Sequence, residues 1–568
     1  MSKIYNTVHY IISLLKAYNI KNIVASPGTQ NSYFNYLVQE DAFFNCYSVV
    51  DERSAAYVAT GIAYETKEPV VITCTGATAS RNYLSALTEA YYKNLPVIAL
   101  TFFDECTNKF ALSAQYVDRS ISQNDIKVID VELPDVKTLN NKKKCLAYLN
   151  SSFFTAKYLK KPIHINCAAN MDFKNTTSDL PTDFWYSKGC TLNFQHLTKD
   201  IENKNVAVFI GSHNKFSKTE EDTISKFAQS WDIPVICDHT ANYHGKNKIL
   251  VSQISYNMKN ITAPDIIIDL GGVTGEYSAS ATLNKAKIWR IAENNQFATR
   301  LNIPVDYVFL CKEEYFFNIM TNQTNGNNGY YTYLKSVCSK LDCMDLPLSN
   351  SLICQKIAQY IPKNSSLHLS ILNSLRNMNF FDLDESVDVN CNVGGFGIDG
   401  AVSTLVGQSF VNSDKLYFGI VGDLAFFYDM NIIGNRHIKN NLRILLVNNN
   451  RGEEFRLNPR LEEPLKNKND VLIAAGGHYT NGAKGWAESC GFKYMQANTK
   501  EDFENQIEDF CKLKSDKPIF FEVFTKDENE KEGLNILKGN TISNIPKKEK
   551  QTLLSKIGKI LCGEKIKK

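Results

Sequence analysis

No stretch of the 568-residue sequence approaches the roughly 20 consecutive apolar residues that a bilayer-spanning helix requires. There is no C-x-x-C pair either, and no histidine spacing that would build a zinc site. The fifteen cysteines are scattered from Cys46 to Cys562, and an odd, dispersed set fits reduced, mostly buried thiols. Low-complexity tracts and internal repeats are missing, which excludes solenoids and repeat arrays. A net excess of basic charge is missing from the body of the chain. Residues 544–568 carry eight lysines against two glutamates, so the tail holds +6 of a net +3 and the remainder is −3. That leaves no basic field for nucleic acid. The opening segment MSKIYNTVHYIISLLKAYNIKNIV has apolar residues at helical spacing but no small-residue cleavage site. It reads as a folded helix rather than a signal peptide, and the expected location is the cytoplasm.

What is present points to an α/β protein. A hydrophobic fraction of 43% beside a charged fraction of 22% is that of a globular chain. At about 150 residues per domain, the length asks for three or four units. Runs of β-branched and apolar residues alternate with helix-length amphipathic segments. Examples are NIVASPG, PVVITCTG, PVIALTF, PIHINCA, VAVFIGS, PVICDHT, IIIDLGG, LYFGIVGD, LRILLVNNN and PIFFEVF. Near-continuous apolar strands separated by helices indicate doubly wound parallel sheets covered on both faces. Composition shifts divide the chain into blocks at 1–183, 184–345 and 346–540, followed by a basic tail at 541–568. In such sheets ligands bind at the carboxyl ends of strands.

Two motifs lie at such ends. LYFGIVGD closes on Asp423, and LRILLVNNNRG closes on Asn449. A carboxylate and an amide oxygen brought together there suit Mg²⁺, which prefers oxygen ligands and commonly bridges to phosphate. The following helix start would offer backbone N–H groups to a diphosphate. In VVDERSAAYVATGIAYE, Glu52 stands at a strand-to-helix junction and is followed by a helix of small residues. Such a helix can approach another closely, as at a subunit interface. Glu52 could equally be a carboxylate placed against the helix macrodipole.

Taken together, DERSAA, CTGATA, GFGIDG, GDLAFFYDMN and VNNN, with SPGTQNS at the start, resemble the thiamine-diphosphate enzymes over roughly residues 5–535. Within them the match is to the MenD family of menaquinone-pathway synthases. The resemblance implies pyrimidine-binding, central and diphosphate-binding domains, in that order. It implies that Glu52 hydrogen-bonds the aminopyrimidine ring and drives formation of the cofactor carbanion, with the cofactor as electron sink for a 2-oxo acid. Asp423, Asn449 and the carbonyl of Arg451 are implied as Mg²⁺ ligands. Ile398 is implied to lie against the cofactor and impose its bent shape. Thr78, Asn82, Gly422, Leu424 and Ala425 complete the implied cofactor contacts, and Gln115 and Ser374 face the reacting centre. In this family the glutamate and the diphosphate site come from different subunits, so a homodimer is the minimum unit and a homotetramer is compatible.

The substrate pocket departs from the family. Its synthases handle 2-oxoglutarate and isochorismate, and need several cations for their carboxylates. Gln30 and Asp104 stand at two arginine positions, and Glu276 and Tyr277 at a Lys-Arg pair. Met378 falls at a third arginine position, with Arg376 two residues away, and Val393 at a fourth. Glu454, with Phe455 beside it, adds an acid. The expectation is therefore a decarboxylase or carboligase with a less cationic pocket. It would pass an acyl unit from a 2-oxo acid such as pyruvate to a carbonyl acceptor, with Asp104, Glu276 and Glu454 accepting hydroxyls. Two alternatives stay open: the menaquinone-pathway synthase itself, and a cofactor-binding protein without catalysis. In the tail, Leu553, Leu554, Ile557, Ile560 and Leu561 form one helical stripe among lysines. This is a segment able to touch an anionic membrane weakly, or to dock on the chain's own acidic body.

Overall fold

A computed structural model describes residues 5–76, 78–103, 123–169, 179–182, 201–283, 286–292, 307–309, 311–321, 329–461, 465, 470–477 and 482–542. Asp104, Gln115 and the tail stripe lie outside them.

The opening segment does fold as a helix, Thr7–Ala17. Asn6 caps it, its Oδ1 accepting the His9 backbone N–H at 3.2 Å, and Val8, Ile11, Ile12, Leu14 and Leu15 are buried. Three six-stranded parallel sheets follow. The first contains β1 (Asn22–Ala25), β2 (Asn45–Ser48), β3 (Val70–Thr75), β4 (Val97–Phe103), β5 (Ile129–Leu133) and β6 (Ile163–Ala168), in the order β2-β1-β3-β4-β6-β5. The second contains β7 (Val206–Ile210), β8 (Val235–Cys237), β9 (Lys248–Leu250), β10 (Ile266–Leu270), β11 (Lys287–Ile291) and β12 (Tyr307–Phe309), in the order β12-β11-β10-β7-β8-β9. The third contains β13 (Ser366–Leu369), β14 (Asp388–Asn390), β15 (Tyr417–Gly422), β16 (Leu442–Asn448), β17 (Lys493–Ala497) and β18 (Ile519–Phe524), in the order β14-β13-β15-β16-β18-β17. One sheet falls in each block read from the sequence. Helices on both faces bury strands such as β10 and β16 along their whole length. The twelve described cysteines are free, and seven are buried.

The small-residue helix Glu52–Thr66 finds its close partner within the same chain. It crosses Ala401–Ser409 of the third domain so tightly that a Cβ on Gly61 would stand 2.2 Å from the Thr404 carbonyl oxygen. A Cβ on Gly407 would stand 2.3 Å from that of Val58. One continuous core therefore runs from Ala55, Ala59 and Ile62 through Val402, Leu405 and Val406 to β15 and β16.

Charge and hydrogen bonding tie in the central domain. Lys215 reaches Glu65 at 3.0 Å and Asp388 at 2.7 Å, and Lys415 pairs with the same two acids. Beside them Tyr64 donates to the Val389 carbonyl at 2.9 Å, while Asn242 donates to Tyr64 and accepts from the Val389 N–H at 3.0 Å.

Glycine to alanine inside a helix ordinarily gains about 1 kcal/mol. Gly61→Ala should instead lose about 1–3 kcal/mol, because the methyl has no room against a carbonyl. Urea denaturation of the two proteins checks the sign.

Candidate cofactor site and substrate pocket

β15 and β16 are parallel neighbours in register from Tyr417↔Leu442 to Gly422↔Val447, so both deliver their next residues to one edge of the sheet. Asp423 opens a helix there, Asp423–Asp429. Its Oδ1 accepts the Leu424 N–H at 2.7 Å and its Oδ2 the Arg451 N–H at 3.0 Å. The same Arg451 N–H lies 3.3 Å from Asn449 Oδ1. Asp423 is 2% exposed, and burial pushes its carboxyl up to about 6 against the opposing pull of these N–H groups. A carboxylate so desolvated would be favoured in its ionised form by a cation. The neighbouring Gly422 donates to Ser370 Oγ at 3.4 Å, and a Cβ there would meet no atom within 4 Å, so the space over the strand end is open. Ser374 is buried on the helix Asn373–Met378, just past β13. Leu372 enters that helix with φ +72°, a strained backbone for a residue with a side chain.

The Gly394–Gly400 loop stands beside this edge. Ile398 packs against both the core shared with the first domain and the core of the third. Two groups of the first domain hold the loop: Tyr57 donates to Asp399 Oδ1 at 2.9 Å, and Glu89 accepts the Gly395 N–H. Glu89 is 1% exposed, with its other oxygen unpartnered, and burial raises its carboxyl to about 7 despite the Lys93 charge.

Glu52 is half-buried in the first turn of its helix, with Asp51 as N-cap accepting the Ser54 N–H at 3.0 Å. Its own carboxylate accepts no hydrogen bond among the described residues. Thr78 and Asn82 lie together on an exposed helical turn, joined by an Asn82 Nδ2 bond to the Thr78 carbonyl at 3.3 Å.

A third group gathers where the second and third domains meet. Arg376 grips Glu454 with two bonds, at 2.7 and 3.1 Å, and donates to Asn373 Oδ1 at 3.1 Å. Burial opposes the guanidinium charge, but Glu454 holds the Arg376 pKa above its ordinary value. Tyr277 lies over this guanidinium, 5.8 Å from ring to cation, and its ring is 5.7 Å from that of Phe396 in the Ile398 loop.

Residues 5–108 match the family described as thiamine pyrophosphate enzyme, N-terminal TPP binding domain. Over most of its length the chain is similar to the 2-succinyl-5-enolpyruvyl-6-hydroxy-3-cyclohexene-1-carboxylate synthase of Phocaeicola vulgatus. Identity is 27% over 547 residues, covering 92% of this chain and 95% of that protein. The synthase of the same name from Flavobacterium johnsoniae is 28% identical over 545 residues, covering 91% and 95%. In fold the chain is similar to the thiamine diphosphate-dependent 4-hydroxybenzoylformate decarboxylase of Rhodococcus jostii RHA1. That TM-score is 0.69 at 14% identity, over 92% of this chain and 99% of that one. The chain is a thiamine-diphosphate-dependent enzyme.

The enzyme's residues suit the cofactor. The open strand end at Gly422 leaves room for phosphate, and among the described residues no donor is spent on the Glu52 carboxylate. Among the described residues no three His, Cys, Asp or Glu side chains converge on a metal. A divalent ion would therefore draw on Asp423, an amide, a carbonyl and the phosphate oxygens themselves.

The expected substrate residues divide. Gln30 accepts the Gly76 N–H at 3.4 Å. Tyr277 and Phe455 are exposed, and Glu454 is committed to Arg376. Glu276 is not free to accept a substrate hydroxyl. It is 1% exposed, and takes bonds from Tyr256 Oη at 3.1 Å, Ser278 N at 3.0 Å, Ser278 Oγ at 2.8 Å and Ser252 Oγ at 2.8 Å. Val393 and Met378 are fully buried core residues, and Arg376 is the side chain that reaches the cluster from that helix.

An unfolded glutamate ionises at about 4.3, so between that pH and about 7 the folded enzyme keeps a proton on Glu89 that the unfolded chain has released. The stability this proton confers is complete below 4.3 and lost as the pH rises through 7. Glu89→Gln should match the wild type at pH 4 and exceed it at pH 8, by an amount on the order of 1–3 kcal/mol. Urea midpoints across that range measure the gap.

Proposed function

We propose that the enzyme decarboxylates a 2-oxo acid and passes the resulting acyl-anion equivalent to a carbonyl acceptor. The reading rests on Glu52, whose carboxylate accepts no hydrogen bond among the described residues, and on Asp423 and Asn449 at two adjacent strand ends, which in a dimer would serve one site from different subunits. Thiamine diphosphate supplies a carbon nucleophile and an electron sink. In this reading Glu52 holds and moves the proton at the pyrimidine nitrogen, and Ile398 supports the bent ring pair. Asp423, Asn449 and the Arg451 carbonyl hold Mg²⁺ against the diphosphate. Thr78 and Asn82, exposed within one chain, and Val50, 77% exposed beside Glu52, support a homodimer as the working unit.

The pocket supports a substrate with fewer carboxylates than the pair used by the family's menaquinone-pathway synthases. Tyr277 and Gln30 are neutral, and the Arg376 charge is balanced by Glu454. The second reading is that synthase activity itself, with 2-oxoglutarate and isochorismate, and the full-length similarity to proteins of that name favours it. A cofactor-binding role without catalysis would give Glu52 no task.

Measuring CO₂ release from a panel of 2-oxo acids with thiamine diphosphate and Mg²⁺, then adding carbonyl acceptors, tests the proposal. Pyruvate should be turned over in preference to 2-oxoglutarate, and efficient product formation from 2-oxoglutarate and isochorismate would replace the first reading with the second. Glu52→Gln should keep cofactor binding while turnover falls about 10²–10⁴-fold. Asp423→Ala should abolish Mg²⁺-dependent cofactor binding in a fluorescence titration, and unchanged affinity would remove it from the metal site.

A further inference from the structure

The turn after β16 carries two of the proposed cation ligands, the Asn449 amide and the Arg451 carbonyl, and the end of one strand does not hold it alone. The chain returns to it at residues 470–477, which include one helical turn, Val471–Ala474. The Gly452 N–H donates to the Ala474 carbonyl at 2.6 Å, and the Gly477 N–H donates to the Asn450 carbonyl at 3.0 Å. These two bonds run in opposite directions and strap the segment to the turn.

Asp470 adds charge to the strap. It is 5% exposed, and its Oδ2 accepts Arg456 Nη2 at 2.6 Å, Arg456 Nε at 3.0 Å and Arg451 Nη1 at 3.0 Å. Charge-assisted bonds of this kind are stronger than neutral ones. Arg451 Nη1 also reaches Asp527 Oδ2 at 2.8 Å, at the start of the helix Asp527–Gly539 that follows β18. The Arg451 side chain is therefore pinned between strap and sheet, while its backbone N–H is held by Asp423 and Asn449. With both parts of the residue tied, the direction of its carbonyl is set. Glu453 is also buried and lies between the two arginines in sequence, but neither of its oxygens has a hydrogen-bond partner among the described residues. Gly476 completes the fit, since a Cβ there would stand 2.1 Å from Asp470 Oδ1.

We propose that Asp470 is a positioning residue for cation binding. By fastening Arg451 and the strap, it holds the Asn449 amide and the Arg451 carbonyl in the arrangement that a divalent ion on a diphosphate requires. This rests on the reading of Asp423, Asn449 and the Arg451 carbonyl as cation ligands, and adds a residue that acts on the ion only through Arg451. A cation of the Mg²⁺ class demands near-ideal octahedral geometry, so a turn released from its strap loses affinity for it even with every ligand present.

The test is a fluorescence titration of the full chain with Mg²⁺ at saturating thiamine diphosphate, so the readout does not depend on turnover. Asp470→Asn should raise the Mg²⁺ concentration at half-saturation at least tenfold. Gly476→Ala keeps every charge and displaces the Asp470 carboxylate, so it should shift the titration in the same direction and carries the test if Asp470→Asn does not fold. Asp345→Asn, whose carboxylate pairs with Lys500 on the surface, should titrate like the wild type. At saturating Mg²⁺, CO₂ release by Asp470→Asn, from whichever 2-oxo acid the wild type uses, should return to within about twofold of the wild type. Wild-type Mg²⁺ affinity in both Asp470→Asn and Gly476→Ala would overturn the assignment. So would a loss of turnover that saturating Mg²⁺ does not restore, since that marks general damage to the fold. If Asp423→Ala abolishes Mg²⁺ binding while the two strap variants bind normally, the ligand reading stands and only the role of Asp470 falls. If Asp423→Ala binds Mg²⁺ normally, both fall.

Discussion

Two helices that touch backbone to backbone set the geometry on which the rest depends. Glu52–Thr66 and Ala401–Ser409 interlock through Gly61 and Gly407, each seated on a carbonyl of the other helix. That contact is dispersion and exclusion of water with no side chain to adjust, so it tolerates little variation. It sets the position of the Glu52 end relative to the loop that precedes Ala401, which carries Ile398 and Asp399. Arg53, one residue on, donates to the Asp399 carbonyl and to the Tyr428 carbonyl at 3.2 Å. Within one chain the crossing thus fixes both the proposed catalytic glutamate and the loop proposed to bend the cofactor, which the dimer reading assigns to two separate sites.

The architecture was readable in outline from the chain alone, and its gaps have a physical pattern. The ten apolar runs all became strands. Those not read as strands include all six sheet edges: β2, β5, β9, β12, β14 and β17. An edge strand has a neighbour on one side only, and its faces are less covered. The residues NCYS of β2 and KYMQA of β17 accordingly carry polar or exposed positions where a central strand carries valine and isoleucine. Two interior strands escaped for another reason. β11 buries Arg290 against Asp269 at 3.0 Å, and β13 buries Ser366 and His368, so polar letters occupy core positions. The small-residue helix was read correctly as a close-contact surface, but the partner found for it lies in the same chain.

At the site, the legible residues were those whose role follows from position. Asp423 and Asn449 terminate adjacent strands, and strand ends can be located from an apolar run. The substrate residues were harder, because a letter gives no direction to its side chain. Glu276 looked like an available acid and is saturated by Ser278 of its own loop and by Ser252 and Tyr256. Met378 aligned with a cationic position and points into the core, while Arg376 on the same helix supplies the charge.

The ionic knot of Glu65, Lys215, Asp388 and Lys415 bears on how such a chain can change over time. Its four charges come from all three domains. The domains share one architecture and would seem interchangeable, yet removing the central one would strip Lys215 from two partly buried acids. Lys415 would then face both acids alone, one cation to two carboxylates in a partly buried site, where unbalanced charge is destabilising. Gain, loss or exchange of the central domain therefore requires simultaneous change at several positions in the other two, so the three units are inherited as a block even though each has the outline of a separable module.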